Sequence, residues 1–129
     1  MNSLTQRSIF TGSILAAIAV ALGAFGAHTL RPLLVTKYFD IFETAVRYQM
    51  YHALAFILFG LTLQYKALPK IIYFLFLIGI IIFSSTLYAI ALGSLMENNP
   101  LKWLGAVTPL GGISLLSAWV LYAYYSVKK

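Results

Sequence analysis

Four long runs without a charge divide the chain, and the charged residues collect in and beside the short segments between them. The first run, SIFTGSILAAIAVALGAFGAHTL, lies between Arg7 and Arg31. It is long enough for the roughly 20 residues that cross a hydrocarbon core at 1.5 Å each, so a first span is predicted over about 8–30. After Arg47 the chain reads YQMYHALAFILFGLTLQY up to Lys66. That run is short for a span unless the preceding residues extend the helix into the interface, and it predicts a second span over about 46–65. Pro69 in KALPK blocks helix continuation, and IIYFLFLIGIIIFSSTLYAIALGSLM then predicts a third span over about 71–96. ENNPLK makes the last turn, and WLGAVTPLGGISLLSAWVLYAYYSV predicts a fourth over about 103–127.

The segment joining spans one and two, RPLLVTKYFDIFETAVR, is the only sizeable one outside them. Pro32 stops span one. From about Thr36 the apolar positions Tyr38, Phe39, Phe42, Ala45 and Val46 alternate with Lys37, Asp40, Glu43 and Thr44, which predicts a short amphipathic helix over about 36–46 at the membrane interface. Glu43 precedes Arg47 by four residues, the favourable order for a same-face ion pair worth a few tenths of a kcal/mol when exposed. With Phe42 to Leu54 read as one helix, His52 sits about 7.5 Å further into the bilayer than Arg47.

Composition agrees with lipid as the solvent. Of the 129 residues 61% are apolar and 9% charged, against roughly 25% charged in soluble domains. The fold class is therefore all-α: a polytopic membrane protein with four transmembrane helices in a single domain over 1–129. The net charge of +6 is spread over the ends of the apolar runs, so membrane lipids are expected as partners and nucleic acid is not. There is no cysteine, which excludes disulfides, thiolate nucleophiles and cysteine metal sites. Arg7, Lys66, Lys70, Lys128 and Lys129 on the terminal side slightly outnumber Arg31, Lys37, Arg47 and Lys102 on the other. That bias favours both termini in the cytoplasm of a chain expected in the cell (inner) membrane. Arg7, an apolar core and GAFGA also fit a cleaved signal peptide. The small residues Gly12, Ala16, Ala19, Gly23 and Gly26, at helical spacing, favour a retained and closely packed span instead.

Polar residues converge on one half of the predicted bundle. His28 ends span one and His52 begins span two, span three brings Ser84, Ser85 and Tyr88, and span four brings Thr108 and Pro109, where TPLGG predicts a kink. A candidate polar pocket is thus formed from His28, Glu43, Arg47, Tyr48, His52, Tyr88 and Thr108. It has two readings: a site for a ligand or proton, or side chains that satisfy one another as polar glue between spans. The second is preferred. The two histidines lack a third metal ligand, haem ligation has little support, and no phosphate-binding loop, catalytic triad or carboxylate dyad is present, so no metal or cofactor is expected. Gly105, Gly111 and Gly112 beside Pro109 are read, like GAFGAH, as close helix packing.

Four stretches carry a family resemblance: GAFGAH at Gly23 to His28, FETAVRYQMYHALA at Phe42 to Ala55, FSSTLYAIAL at Phe83 to Leu92, and LGAVTPLGG at Leu104 to Gly112. Together, and in this order, they resemble the small membrane proteins of the domain of unknown function 423 family, including YgdD-like and YwdK-like bacterial proteins and, more distantly, eukaryotic transmembrane protein 256. The segment RPLLVTKYFD is less polar than the resemblance leads one to expect. The resemblance implies the architecture and assigns no activity. The expectation is a non-enzymatic structural or interaction protein whose helices pack through small residues, with a homo-oligomer open and no protein partner named. The alternative is binding or transport of a lipid, quinone or small solute near Arg47 and His52.

Overall fold

The computed structural model describes residues 2–129, and among them it is entirely helical, with four long helices. Helix α1 (Ser3–Phe25) starts at Asn2, whose Oδ1 accepts from the Thr5 N–H at 2.7 Å and so satisfies one of the orphan donors of the first turn. It ends in a wider π turn over Gly26–Leu30, closed by the Arg31 N–H donating to the Gly26 carbonyl at 2.9 Å. Helix α2 (Thr36–Thr62) is one helix of 27 residues, about 40 Å long. The predicted interfacial helix and second span are thus not separate elements. No proline interrupts Thr36 to Thr62, and the lone Gly60 falls at the end.

Helix α3 (Lys70–Gly93) follows directly after Pro69. The turn behind it passes through Asn98 and Asn99 at positive φ, a region asparagine tolerates better than most residues. A 3₁₀ turn over Lys102–Ala106 then leads into α4 (Thr108–Val127). The predicted kink at Pro109 is therefore displaced: proline occupies the first turn of α4, where a missing N–H breaks no ladder.

Consecutive helices pack side by side, α1 on α2, α2 on α3 and α3 on α4. Each pair is antiparallel: Gly12 meets Ala53 while Ser8 meets Gly60, Ala45 meets Ser84 while Phe56 meets Tyr73, and Gly79 meets Leu115 while Thr86 meets Thr108. The core lies around α2 and α3, where Phe56, Phe59, Ile72 and Phe76 are fully buried. A smaller cluster of Leu30, Leu34, Phe39, Phe42 and Ala91 ties down the α1–α2 connection, and the Arg31 guanidinium lies 4.7 Å from the Phe39 ring centre. This burial accounts for Leu34 and Phe39 in RPLLVTKYFD, while Leu33 and Val35 are exposed.

The outer faces are apolar as well. Ile14 and Ile18, Leu54 and Leu58, Phe74 and Ile78, and Ile113 and Leu116 are exposed on the four helices in turn. Three segments are long and apolar enough to cross a membrane: Ser3–Leu30, Lys70–Gly93 and Lys102–Val127. Helix α2 falls outside that set, since Lys37, Asp40 and Glu43 occupy its first turns and Arg47, Gln49 and His52 lower the hydropathy of the rest.

Candidate functional site

The polar residues of α2 leave the helix in three directions, and the predicted pocket divides accordingly. His52, 5% exposed, is closed on both ring nitrogens. Nδ1 lies 2.7 Å from the Tyr48 carbonyl and Nε2 3.1 Å from the indole nitrogen of Trp119 on α4. A carbonyl only accepts and an indole N–H only donates, so Nδ1 carries the proton and Nε2 receives the tryptophan. Neither nitrogen is left for a metal or for proton exchange in this arrangement. Rings surround the imidazole, with Tyr48, Phe76 and Trp119 centred at about 6 Å.

Tyr88 is also engaged. Its hydroxyl donates to Gln49 Oε1 at 2.8 Å, its ring meets Phe42 edge-on, and Gln49 Nε2 donates to the Leu15 carbonyl at 2.9 Å. Gln49 thereby links α1, α2 and α3 through one buried side chain. A neutral amide, it does not stand out among the ionisable groups of the sequence. The signal was present, because Gln49 falls at helical spacing from Phe42, Ala45, Ala53 and Phe56, all buried.

Ser84 donates to the Ala45 carbonyl at 2.9 Å, joining α3 to α2. The hydroxyls of Thr86 and Thr108 share a hydrogen bond at 2.7 Å and join α3 to α4. Thr62 and Tyr122, Thr11 and Tyr73, and Ser114 with the Leu75 carbonyl make further links of the same kind.

Arg47 and Glu43 behave differently from expectation. The Arg47 guanidinium donates to the Thr44 hydroxyl at 3.1 Å, and among the described residues no ion pair within 4.0 Å forms with Glu43. On an exposed helix surface the pair gains too little to fix two long side chains. Both line a shallow cleft of about 200 Å³ with Gly23, Gly26, Phe42 and Val46. His28 is exposed on the π turn and lines no part of this cleft, and the exposed Tyr48 ring lies tilted against Phe83 with ring centres 4.6 Å apart. The seven residues therefore do not share one cavity. Among the described residues no three His, Asp or Glu side chains come together as metal ligands would.

The small residues sort by distance. A Cβ at Gly12 would stand 2.5 Å from the Ala53 carbonyl oxygen, and one at Gly111 2.6 Å from the Phe83 nitrogen, so backbone meets backbone there. Gly26 abuts the Phe42 ring, and Gly23 faces Val46 at 3.4 Å. Ala16 is half-buried while Ala19 is buried. Gly105 and Gly112 depart from the prediction: a Cβ would find its nearest neighbour at 4.0 Å and 3.8 Å, so neither holds helices close.

Comparison with known proteins bears on the same segments. The family model described as a protein of unknown function, DUF423, matches residues 22–112, which includes Gln49, His52, Tyr88 and Thr108. The UPF0382 membrane protein YwdK of Bacillus subtilis is 36% identical over 123 residues, 93% of this chain and 95% of its own. A UPF0382 membrane protein of Haemophilus influenzae is 37% identical over 110 residues, 84% of each chain. The UPF0382 membrane protein SH2409 of Staphylococcus haemolyticus is 35% identical over 114 residues, 88% of each. No solved structure matches. With more than half its length matched by the family model, and relatives that it covers nearly end to end, the chain belongs to the DUF423 family of membrane proteins of unknown function.

Proposed function

We propose that this protein is a four-span component of the cell membrane with both termini in the cytoplasm, acting as a structural or interaction protein rather than as an enzyme. The observation that carries the reading is the pairing of the buried polar side chains. Gln49, His52, Ser84, Thr86 and Thr108 are each bonded within the bundle, which leaves them no free donor set aimed at a substrate. Polar groups used in this way hold spans together.

The same fact supports α2 as a span. Its polar residues lower its average hydropathy, yet Gln49 and His52 face other helices, and the outward residues Tyr51, Leu54, Leu58 and Leu61 are apolar or aromatic. The absence of cysteine makes topology directly measurable. In whole cells an impermeant maleimide should label Lys102→Cys and spare Lys129→Cys. Equal labelling of the two would remove the topology.

The interaction surface assigned to this role is the outer face of α1. Ser13, Ala17, Ala21 and Ala24 are exposed there at spacings of three and four, which permits close approach of a second copy. Energy transfer between labelled chains in bilayers is expected to report association, and Ala17→Leu with Ala21→Leu to abolish it. A chain that stays monomeric in both forms would sink the interaction reading.

A second reading, binding of a small solute or lipid, is favoured by the cleft beside Glu43 and Arg47. It predicts density from a co-purified molecule against Arg47. Solvent alone in that cleft would count against it.

A further inference from the structure

Charge is divided unevenly between the ends of the bundle. The three acids of the chain, Asp40, Glu43 and Glu97, all lie toward the end that holds the α1–α2 and α3–α4 connections. The opposite end carries Arg7, Lys66, Lys70, Lys128 and Lys129, with no acid among them. Lys66 is occupied, since its Nζ donates to the Ser126 carbonyl at 3.0 Å and to that of Lys128, which fastens α2 to the end of α4. The Lys128 ammonium lies 5.7 Å and 5.6 Å from the ring centres of Tyr124 and Tyr125. Arg7 and Lys70 have no hydrogen-bond or ion-pair partner among the described residues.

These two free cations border one crevice. Helices α1 and α3 both pack on α2, and at the cationic end they leave between them a cleft of about 400 Å³. Leu4 and Arg7 line it from α1, and Lys70, Phe74 and Leu77 from α3. One turn beyond Arg7, the hydroxyls of Thr11 and Tyr73 meet at 3.0 Å and join the two helices. No side chain caps the first turn of α3, so its leading N–H groups add to the positive potential at the opening. Tyr65, 90% exposed at the same end, marks the level at which aromatic residues sit among lipid headgroups.

We propose that this crevice is a headgroup site for an anionic phospholipid. The Arg7 guanidinium, whose fork matches phosphate oxygens, and the Lys70 ammonium hold the phosphate. The acyl chains descend along Phe74, about half exposed, and Leu77. Charge complementarity identifies the occupant: two cations with no competing carboxylate at the mouth, above an apolar wall, fit a lipid with a negative head. A second groove, of about 380 Å³ between Lys37 and Lys102, is less suited, because all three acids of the chain share its end of the bundle.

Native mass spectrometry of the detergent-purified chain, offered phosphatidylglycerol and phosphatidylcholine in equal amounts, tests this. The unaltered chain is expected to retain phosphatidylglycerol roughly tenfold over phosphatidylcholine, given two cations near the headgroup. The pair Arg7→Gln with Lys70→Gln should abolish the preference, each single exchange should reduce it roughly threefold, and Lys37→Gln with Lys102→Gln should leave it intact. Both altered side chains are exposed, so an unchanged circular dichroism spectrum is expected for the variants. Retention of the preference by the Arg7 and Lys70 variants, or its loss in the Lys37 and Lys102 pair, overturns the site. Displacement of the lipid by millimolar inorganic phosphate would show a simple anion site and overturn the lipid assignment.

Discussion

Helix α2 has two packed faces that are built on opposite principles. Toward α1 the contact is made by the absence of atoms: Gly12 meets the Ala53 backbone, and Gly60 meets Ser8, Ile9 and the Thr5 carbonyl. Toward α3 and α4 it is made by added groups. Tyr88 reaches Gln49, Ser84 reaches the Ala45 carbonyl, Trp119 reaches His52, and Phe56 packs against Tyr73 and Phe76. In lipid the hydrophobic effect does not draw apolar helices together, so packing and hydrogen bonds must do so. One face relies mainly on the first, with Gln49 bonded to the Leu15 carbonyl, and the other on hydrogen bonds and aromatic rings together. The first is therefore broken by adding an atom and the second by removing one.

The largest effect is expected at Gly12. Even alanine puts Cβ 2.5 Å from a backbone oxygen, which no rotamer change relieves, and leucine must drive α1 away from α2. Gly12→Leu should lose about 3 kcal/mol or more and the monodisperse detergent peak with it. Gly112→Ala, where Cβ finds only ordinary contact at 3.8 Å, is the matched control and should be nearly neutral. Size-exclusion profiles and thermal unfolding in detergent would check both, and equal tolerance at the two positions would dissolve the contrast between the faces.

Next comes Gln49→Leu, which keeps the volume and removes both amide functions. It leaves the Tyr88 hydroxyl without its acceptor in the bundle and unlinks α1 from α3, for an expected loss of about 1–2 kcal/mol. The same measurement on Tyr88→Phe separates the two bonds, because that variant keeps the Leu15 contact. A Gln49→Leu chain as stable as the original would mean that close packing holds α1, α2 and α3 together without these two bonds.

The helices and the small-residue positions of α1 were legible because both leave a period in the sequence. Gly12 meets the Ala53 backbone of α2 and Ala19 is buried, and the uncharged runs mark α1, α3 and α4. What escaped depends on pairs distant along the chain. Nothing near His52 announces Trp119, 67 residues on, and the indole N–H turns a candidate proton carrier into a satisfied acceptor. The Glu43 and Arg47 pair failed for the converse reason. Spacing allowed it, but a nearby threonine hydroxyl competed on an exposed surface where the gain from pairing is small. Chemical type also misleads, since charge is what marks a candidate site along the sequence and the buried connector is a neutral amide.

The smallest effect separates shape from bonding on the second face. Trp119 touches Phe76 edge-on at 5.1 Å between ring centres and stacks near Tyr122 as well as donating to His52. Trp119→Phe keeps an aromatic ring against Phe76 and deletes the donor. Hydrogen bonds between spans average about 0.6 kcal/mol, because the unfolded chain in the membrane also finds partners. The loss should therefore be about 0.5–1 kcal/mol, below that of Gln49→Leu, and Trp119→Ala should exceed it by opening a cavity beside Phe76 and His52. Thermal unfolding of the two variants in the same detergent gives the ordering. If phenylalanine and alanine were equally damaging, the indole N–H would carry the contact, and this face would depend on bonding rather than on aromatic packing.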